Sequence, residues 1–597
     1  MSFSLSVNLD DASIRPLRSR LGCKTCKIRR VKCGEEKPNC LRCTSTGRKC
    51  EYENPIARTY WSSASTFSIL DTPLSLLSNA VLRERRAFAY YFQNTATFVG
   101  GGLDVDFWLT IVPQVCRSEP AVWDALISIS SLFESPDPCP DLVSVRRGHA
   151  RTLNQNQQDA LVWYSRSVSA VRRGIERGSV DSFVGLITCI LFICIEALWG
   201  GMEEALHLYS QGVHLILALQ TQSAYAAMTE TKTSLLKDTI VPIFIRIGAV
   251  TLNTGVSMSP LLQETEHESA PEFTSLKSAR EAIVILAIEI PLFELDCEEY
   301  LIQSHACHIS EELMSRQKVL SSRLQSWYTA FTNIMESLRT KDGLSALQAS
   351  TGALLLTYYE MLSVIIGVCV SPLRITTDAY TSNFQNIAEQ SRIALTGSAR
   401  RDGTQPPFTF ELSVGLPLWF TCIRCREPTI RRTALALLRR AHHIEGLYKR
   451  DYAATMSERI IMVEEMYGIT SSAAQSVANI TTRKPNDACI EHKPRCQGSR
   501  GPHSPFDMDF ELGASPYLPL TDTEPSTSEA VLIPAEARIR PLGIFRPRDG
   551  YPPEMTEDDI ARLSLSRDQT FLHFSRNEHD QYHNTWHTIH GYVPIEF

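Results

Sequence analysis

CKTCKIRRVKCGEEKPNCLRCTSTGRKC, residues 23–50, holds Cys23, Cys26, Cys33, Cys40, Cys43 and Cys50 in the spacing C-x2-C-x6-C-x6-C-x2-C-x6-C. The half-motif C-x2-C-x6-C therefore occurs twice. C-x2-C on one turn presents two sulfurs to the same ion, and soft thiolates in a tetrahedral set select zinc at a Zn–S distance of ~2.3 Å. Two tetrahedral ions have eight ligand positions, which six sulfurs fill when two of them bridge. The repeat makes the bridging pair equivalent in the two halves. Cys23 and Cys40, which open each half, are the expected bridges. A segment this short, with few large apolar residues, cannot bury a core of its own, so metal binding is expected to supply its folding free energy.

Charge is concentrated around the same stretch. Residues 15–50 carry twelve Lys and Arg against Glu35 and Glu36, inside a 597-residue chain whose net charge is −7. Six thiolates with two zinc ions sum to only −2, so the segment stays strongly positive after metal loading. A positive segment of this kind is the electrostatic footprint of a polyanion partner. The two halves differ: Lys27-Ile28-Arg29-Arg30-Val31-Lys32 aligns with Thr44-Ser45-Thr46-Gly47-Arg48-Lys49, and the first is densely basic. The first half is therefore the expected reader of double-stranded DNA, since Arg and Lys donate to guanine O6 and N7 in the major groove.

These residues resemble the fungal binuclear zinc cluster family of transcription regulators, matching every cysteine and the Lys37-Pro38 loop. The resemblance implies two Zn2+ ions held by the six cysteines, a first helix in the major groove, CGG-type triplets, and regulation of RNA polymerase II genes in the nucleus. It places base contacts on Arg29 and Arg30, where most members carry lysine at the second position. An arginine fork still suits guanine but can change the register of contact. Arg20, Lys24, Lys27 and Lys32 are then expected on phosphates, setting orientation.

The fold class expected for the whole chain is mostly α. It comprises an N-terminal tail (1–14), the two-zinc six-cysteine module (15–54), a linker (55–78), a large all-α regulatory domain (79–469), a low-order Ser/Pro/Thr-rich segment (470–547) and a His/Tyr-rich C-terminal tail (548–597). Met202, Leu206, Tyr209, Val213, Ile216 and Leu219 recur at helical steps, with Glu203, His207, Gln211 and His214 between them. Strand alternation is scarce. Glu84–Leu126, Leu161–Arg173 and Leu416–Arg440 resemble the regulatory domain that follows the zinc cluster in one large branch of the family. A related branch contains sterol uptake control regulators, so a helical domain that senses a sterol or another small molecule is the alternative reading.

The linker sustains no a/d heptad, leaving a homodimer without its usual coiled-coil signal. Residues 505–532 interleave Asp507, Asp509 and Glu511 with Phe506, Met508 and Phe510, the composition of a segment that folds onto a coactivator. The N-terminus lacks the order of a secretory signal, which points to a reducing compartment. The apolar runs Phe183–Ile195 and Ala353–Val370 are expected as buried core helices, with no membrane partner. Cys422 and Cys425 have no matching Cys or His pair nearby and are read as buried thiols. Arg431, Arg432, Arg439 and Arg440 are expected on a solvated face. His583 and His587 are spaced to share a helix face. No nucleophile elbow, phosphate loop or kinase signature occurs, so no enzyme activity is expected.

Overall fold

The computed structural model describes residues 23–29, 31–36, 39–50, 79–135, 153–178, 180–221, 228–249, 261, 272–304, 309–370, 374–482, 532–564, 566–580 and 585–596. They fall into two compact units: residues 1–268 with 406–411, and residues 269–405 with 412–597. The linker, the acidic segment 505–531 and the N-terminal tail lie outside the described residues.

The zinc-module residues form two short helices, α1 (Lys24–Ile28) and α2 (Leu41–Thr44). The other described residues of the first unit are mostly helical, led by α3 (Asn79–Tyr90), α4 (Pro120–Glu134), α5 (Gln155–Glu176), α6 (Ser182–Leu198) and α7 (Met202–Leu219). α4 starts with Pro120 in its first turn and is buried on every side from Ala121 to Phe133. Its hydroxyls find main-chain acceptors on its neighbours: Ser128 Oγ donates to Ala160 O (2.8 Å) and Ser130 Oγ to Ala87 O (2.5 Å). Such bonds let a helix carry serines inside a core without orphaned donors. Arg166 of α5 reaches Glu84 of α3 at 2.8 Å and pairs with Asp124 of α4. Asn154 and Gln157 form a reciprocal capping box that starts α5. In α7 Tyr209, Val213 and Ile216 are buried while Glu203, His207, Gln211 and His214 are exposed, as the sequence periodicity predicts.

The second unit holds α8 (Leu276–Ser304), α9 (Glu311–Asp342), α10 (Ala346–Val368), α11 (Thr381–Ser398), α12 (Gly415–Arg424), α13 (Pro428–Leu438) and α14 (Arg450–Thr482). α10 is long and apolar enough to cross a membrane, yet 61% of its apolar window is buried. It packs on α8 and α11. α14 runs on to Thr482, inside the segment expected to have low order.

The C-terminal residues depart from the expected tail. They build an antiparallel sheet in the order β1 (Ile539–Phe545), β2 (Thr570–Asp580), β3 (Thr585–Ile595), with helix α15 (Glu557–Leu563) between β1 and β2. Leu572 and Phe574 of β2 pack with Ile539 against Ile460 and Val463 of α14. Phe571 points the other way, to Met555 and Leu563. Residues 571–575 of β2 are buried on both faces, with His573 and Ser575 among them, so its polar and apolar residues do not alternate as in a half-exposed strand and the strand signal is lost. Pro541 falls on an edge strand beside a register shift, where a missing amide is tolerated. His587 lies in β3, which corrects the helical spacing expected for His583 and His587; His583 is outside the described residues.

Candidate metal centre and nucleic-acid interface

Each half of the cysteine module is built the same way. Cys23 and Cys40 sit in extended conformation immediately before α1 and α2. One helical turn then brings Cys26 and Cys43 round to the same side. The amide of Cys23 donates to Cys33 Sγ at 3.3 Å, and the amide of Cys40 donates to Cys50 Sγ at 3.3 Å. Val31 N donates to Cys26 O (3.1 Å) and its counterpart Arg48 N to Cys43 O (3.0 Å). The repeat in sequence is thus a pseudo-two-fold repeat in backbone hydrogen bonding.

Five of the thiols are buried and Cys50 is partly so. Sγ–Sγ distances are 3.7 Å for Cys23–Cys40, Cys23–Cys43 and Cys26–Cys40, and 3.8 Å for Cys26–Cys43. A tetrahedron with arms of ~2.3 Å has edges of ~3.8 Å, so this sulfur packing fits zinc ligation. Three of the four contacts are those required when Cys23 and Cys40 bridge. The fourth joins Cys26 to Cys43, which that assignment gives to different ions. Burial raises the Cys40 thiol, but the Cys43 amide and the facing thiols outweigh it and bring it down to about 6, and Cys23 is lowered in the same way, whereas burial and the facing thiols push Cys26 and Cys43 up.

Around this sulfur core the surface is basic. Lys27, Lys32, Arg42, Arg48 and Lys49 are exposed, and Arg29 is half-buried. Ile28 and Leu41 are exposed beside them at 73% and 67%, which leaves the helix surface accessible to a partner rather than packed. Arg20, Arg30 and the Lys37-Pro38 loop are outside the described residues, as is the side chain of Lys24.

Beside the sulfur contacts, side-chain hydrogen bonds join the halves. Thr25 Oγ1 donates to Lys49 O at 2.8 Å, and Arg29 Nη1 donates to Thr46 Oγ1 at 3.2 Å. Thr46 was not singled out from composition or charge. The signal lay in the repeat: Arg29 aligns with Thr46, and residues related by a pseudo-two-fold meet when they lie near its axis.

Elsewhere, Cys422 and Cys425 are buried, and burial pushes their thiols up to about 12 and about 11. They resemble packed core thiols rather than ligands. Arg431 corrects the expectation of a solvated arginine face. It is 0% exposed, pairs with Glu464 at 2.7 Å and donates to Cys422 O at 2.9 Å, because α13 is covered by α12 as well as α14. Arg432 and Arg439 are exposed and pair with Glu465 and Glu458.

Residues 21–59 match the Fungal Zn(2)-Cys(6) binuclear cluster domain. The aspercryptin biosynthesis cluster-specific transcription regulator of Emericella nidulans is 28% identical over 356 residues, covering 53% of this chain and 55% of that protein. The chain thus spans about half the length of this relative. A transcriptional regulatory protein of Schizosaccharomyces pombe is 55% identical over 42 residues, 7% of this chain and 8% of its own. A Zn(2)-C6 fungal-type transcription factor of Aspergillus fumigatus is 28% identical over 143 residues, 23% of this chain and 38% of its own. No solved structure matches. The N-terminal module is a binuclear zinc cluster that binds two zinc ions, in a chain related to fungal transcription regulators.

Proposed function

We propose that this chain is a zinc-dependent, sequence-specific DNA-binding transcription regulator acting on RNA polymerase II genes in the nucleus through CGG-type triplets. The observation that carries the reading is the module's pseudo-symmetry with asymmetric charge: of two equivalent cysteine halves, only the first is densely basic, with Lys27 on α1 and Arg29 and Lys32 in the residues that follow it. In this reading Cys23, Cys26, Cys33 and Cys40 would hold one ion and Cys23, Cys40, Cys43 and Cys50 the other. Zinc supplies the fixed charge and geometry that hold α1 against the second half; the chain's own residues do the recognising.

Arg29 and Arg30 donate to guanine O6 and N7, a contact worth ~1–3 kcal/mol of discrimination against a wrong base. Arg20, Lys24, Lys27 and Lys32 neutralise phosphates and set the register. The helical units are regulatory, in keeping with the relative of Emericella nidulans whose match extends far beyond the module. Residues 505–532 are the coactivator-binding candidate, and a homodimer is the route to a longer site, since one module buries only ~600–1,000 Å² on DNA.

The test is a gel shift on a duplex carrying a CGG triplet, with the full-length protein titrated by a zinc chelator. Binding is expected to vanish with zinc and return on its re-addition. Binding that persists after zinc is removed sinks the proposal.

A further inference from the structure

Within the reading segment, Arg29 is tied to the other half of the module by a side-chain hydrogen bond. Its partner is itself held firmly. Thr46 Oγ1 lies 2.9 Å from Arg42 O and 3.2 Å from Cys43 O, so its hydroxyl proton goes back onto the α2 turn and a lone pair faces the Arg29 Nη1. The turn carrying Thr46 closes through Thr46 N to Cys43 O (3.2 Å), Gly47 N to Thr44 O (3.1 Å) and Arg48 N to Cys43 O (3.0 Å), with Gly47 at a positive φ of 61°. Cys43 anchors the same turn to the sulfur core. Thr46 is therefore a fixed acceptor, whereas an unpaired arginine on an exposed surface samples many rotamers and loses that freedom on binding.

Taking Arg29 as a base-contacting residue, as in the reading above, we infer that Thr46 is a positioning residue for it, setting the triplet discrimination of the module from the half that does not read bases. An Arg guanidinium has five N–H donors in a rigid fork. One bond to Thr46 orients the plane and leaves the other donors for guanine. The second half is thus more than a metal-holding duplicate: its Thr46 determines where the Arg29 fork points, and its Lys49 carbonyl, held by Thr25, fixes the roll of α1 against it.

The experiment compares the full-length, zinc-loaded protein with Thr46→Val, Thr46→Ser, Arg29→Ala and the Arg29→Ala/Thr46→Val double variant. For each, the ratio of affinities for a CGG duplex and one with a central G replaced is measured at fixed salt, with zinc content as a control. Thr46→Val is expected to lower the ratio roughly threefold to tenfold, the usual scale of one hydrogen bond, while affinity for the substituted duplex is unchanged. Thr46→Ser is expected to restore the ratio, and Thr46→Val is expected to have no further effect once Arg29 is alanine. A wild-type ratio in Thr46→Val overturns the inference, as does an equal loss in the Arg29→Ala background, which marks a structural role. If Arg29→Ala itself keeps the wild-type ratio, the base-contact reading of Arg29 falls and the inference falls with it.

Discussion

Glu445 and His442 show how single buried groups tune this protein. Burial pushes the Glu445 carboxyl up to about 7, only partly offset by the Ser413 hydroxyl and the Gly415 amide at the start of α12. His442 is buried against Ser413, its Nδ1 3.0 Å from Ser413 Oγ, and burial together with Arg450 brings it down to about 4. The raised Glu445 contributes stability that is full below the ordinary carboxylate value of about 4.5 and is lost as pH rises through 7. His442 acts in the opposite sense: its contribution is present above about 6.5 and is lost as pH falls through 4. Glu445→Gln, which cannot ionise, is therefore expected to gain stability relative to the native protein between pH 5 and 8, by a few kcal/mol at most. Thermal unfolding followed across that range checks it; a gap between the two proteins that stays constant with pH contradicts the assignment. Neither residue was legible as special in the sequence, because a titration shift depends on what covers a side chain. The same holds for Arg431, whose helical position was readable but whose burial against Glu464 was not. Removing one partner of such a buried pair strands the other charge, which is strongly destabilising.

Among the elements, strand β2 carries the C-terminal sheet. Leu572 is 0% exposed and lies in the cluster that joins the sheet to α14. Leu572→Ala removes buried methyl groups and leaves a cavity, at a cost of ~2–5 kcal/mol. Lower stability, read by chemical denaturation, is expected together with earlier exchange of the β2 amides; an unchanged midpoint would mean that the sheet does not share in the unit's cooperative core. Gly591 faces Phe574 across the ladder, and a Cβ there would stand 2.4 Å from the ring, so a glycine is needed for the aromatic side chain to lie over β3. Helices were legible where one face stays wet, as in α7, because alternation of polar and apolar residues then follows the 3.6-residue period. They were less legible in α4 and α6, which are buried almost all round, and β2 was missed for the corresponding reason.

At the scale of the molecule, two kinds of stability coexist. Residues 23–50 have a core made of sulfur, whereas the two helical units are held by extensive apolar burial and paired buried charges such as Asp104 with Arg246 at 2.5 Å. Stripping zinc is expected to unfold the cysteine module while the helical signal of the units persists. Circular dichroism and calorimetry before and after chelation test this: a full loss of helical signal would show that the units depend on the metal. The charge follows the same division, with a strongly positive start on a chain that is otherwise acidic. In the proposed reading, long-range attraction to DNA therefore comes from the module rather than from the net charge of the remainder.

The cysteine spacing by itself determined the zinc centre, since ligands three and seven positions apart are placed by local geometry, and the basic residues of the first half determined the asymmetry between the halves. Periodicity determined that most of the chain is helical. Only the tertiary structure decided that Arg29 meets Thr46, that Arg431 is sealed beneath α12 and α14, and that the last described residues form a sheet packed on α14. Those outcomes depend on which surfaces come together across long stretches of chain, and no local pattern records that.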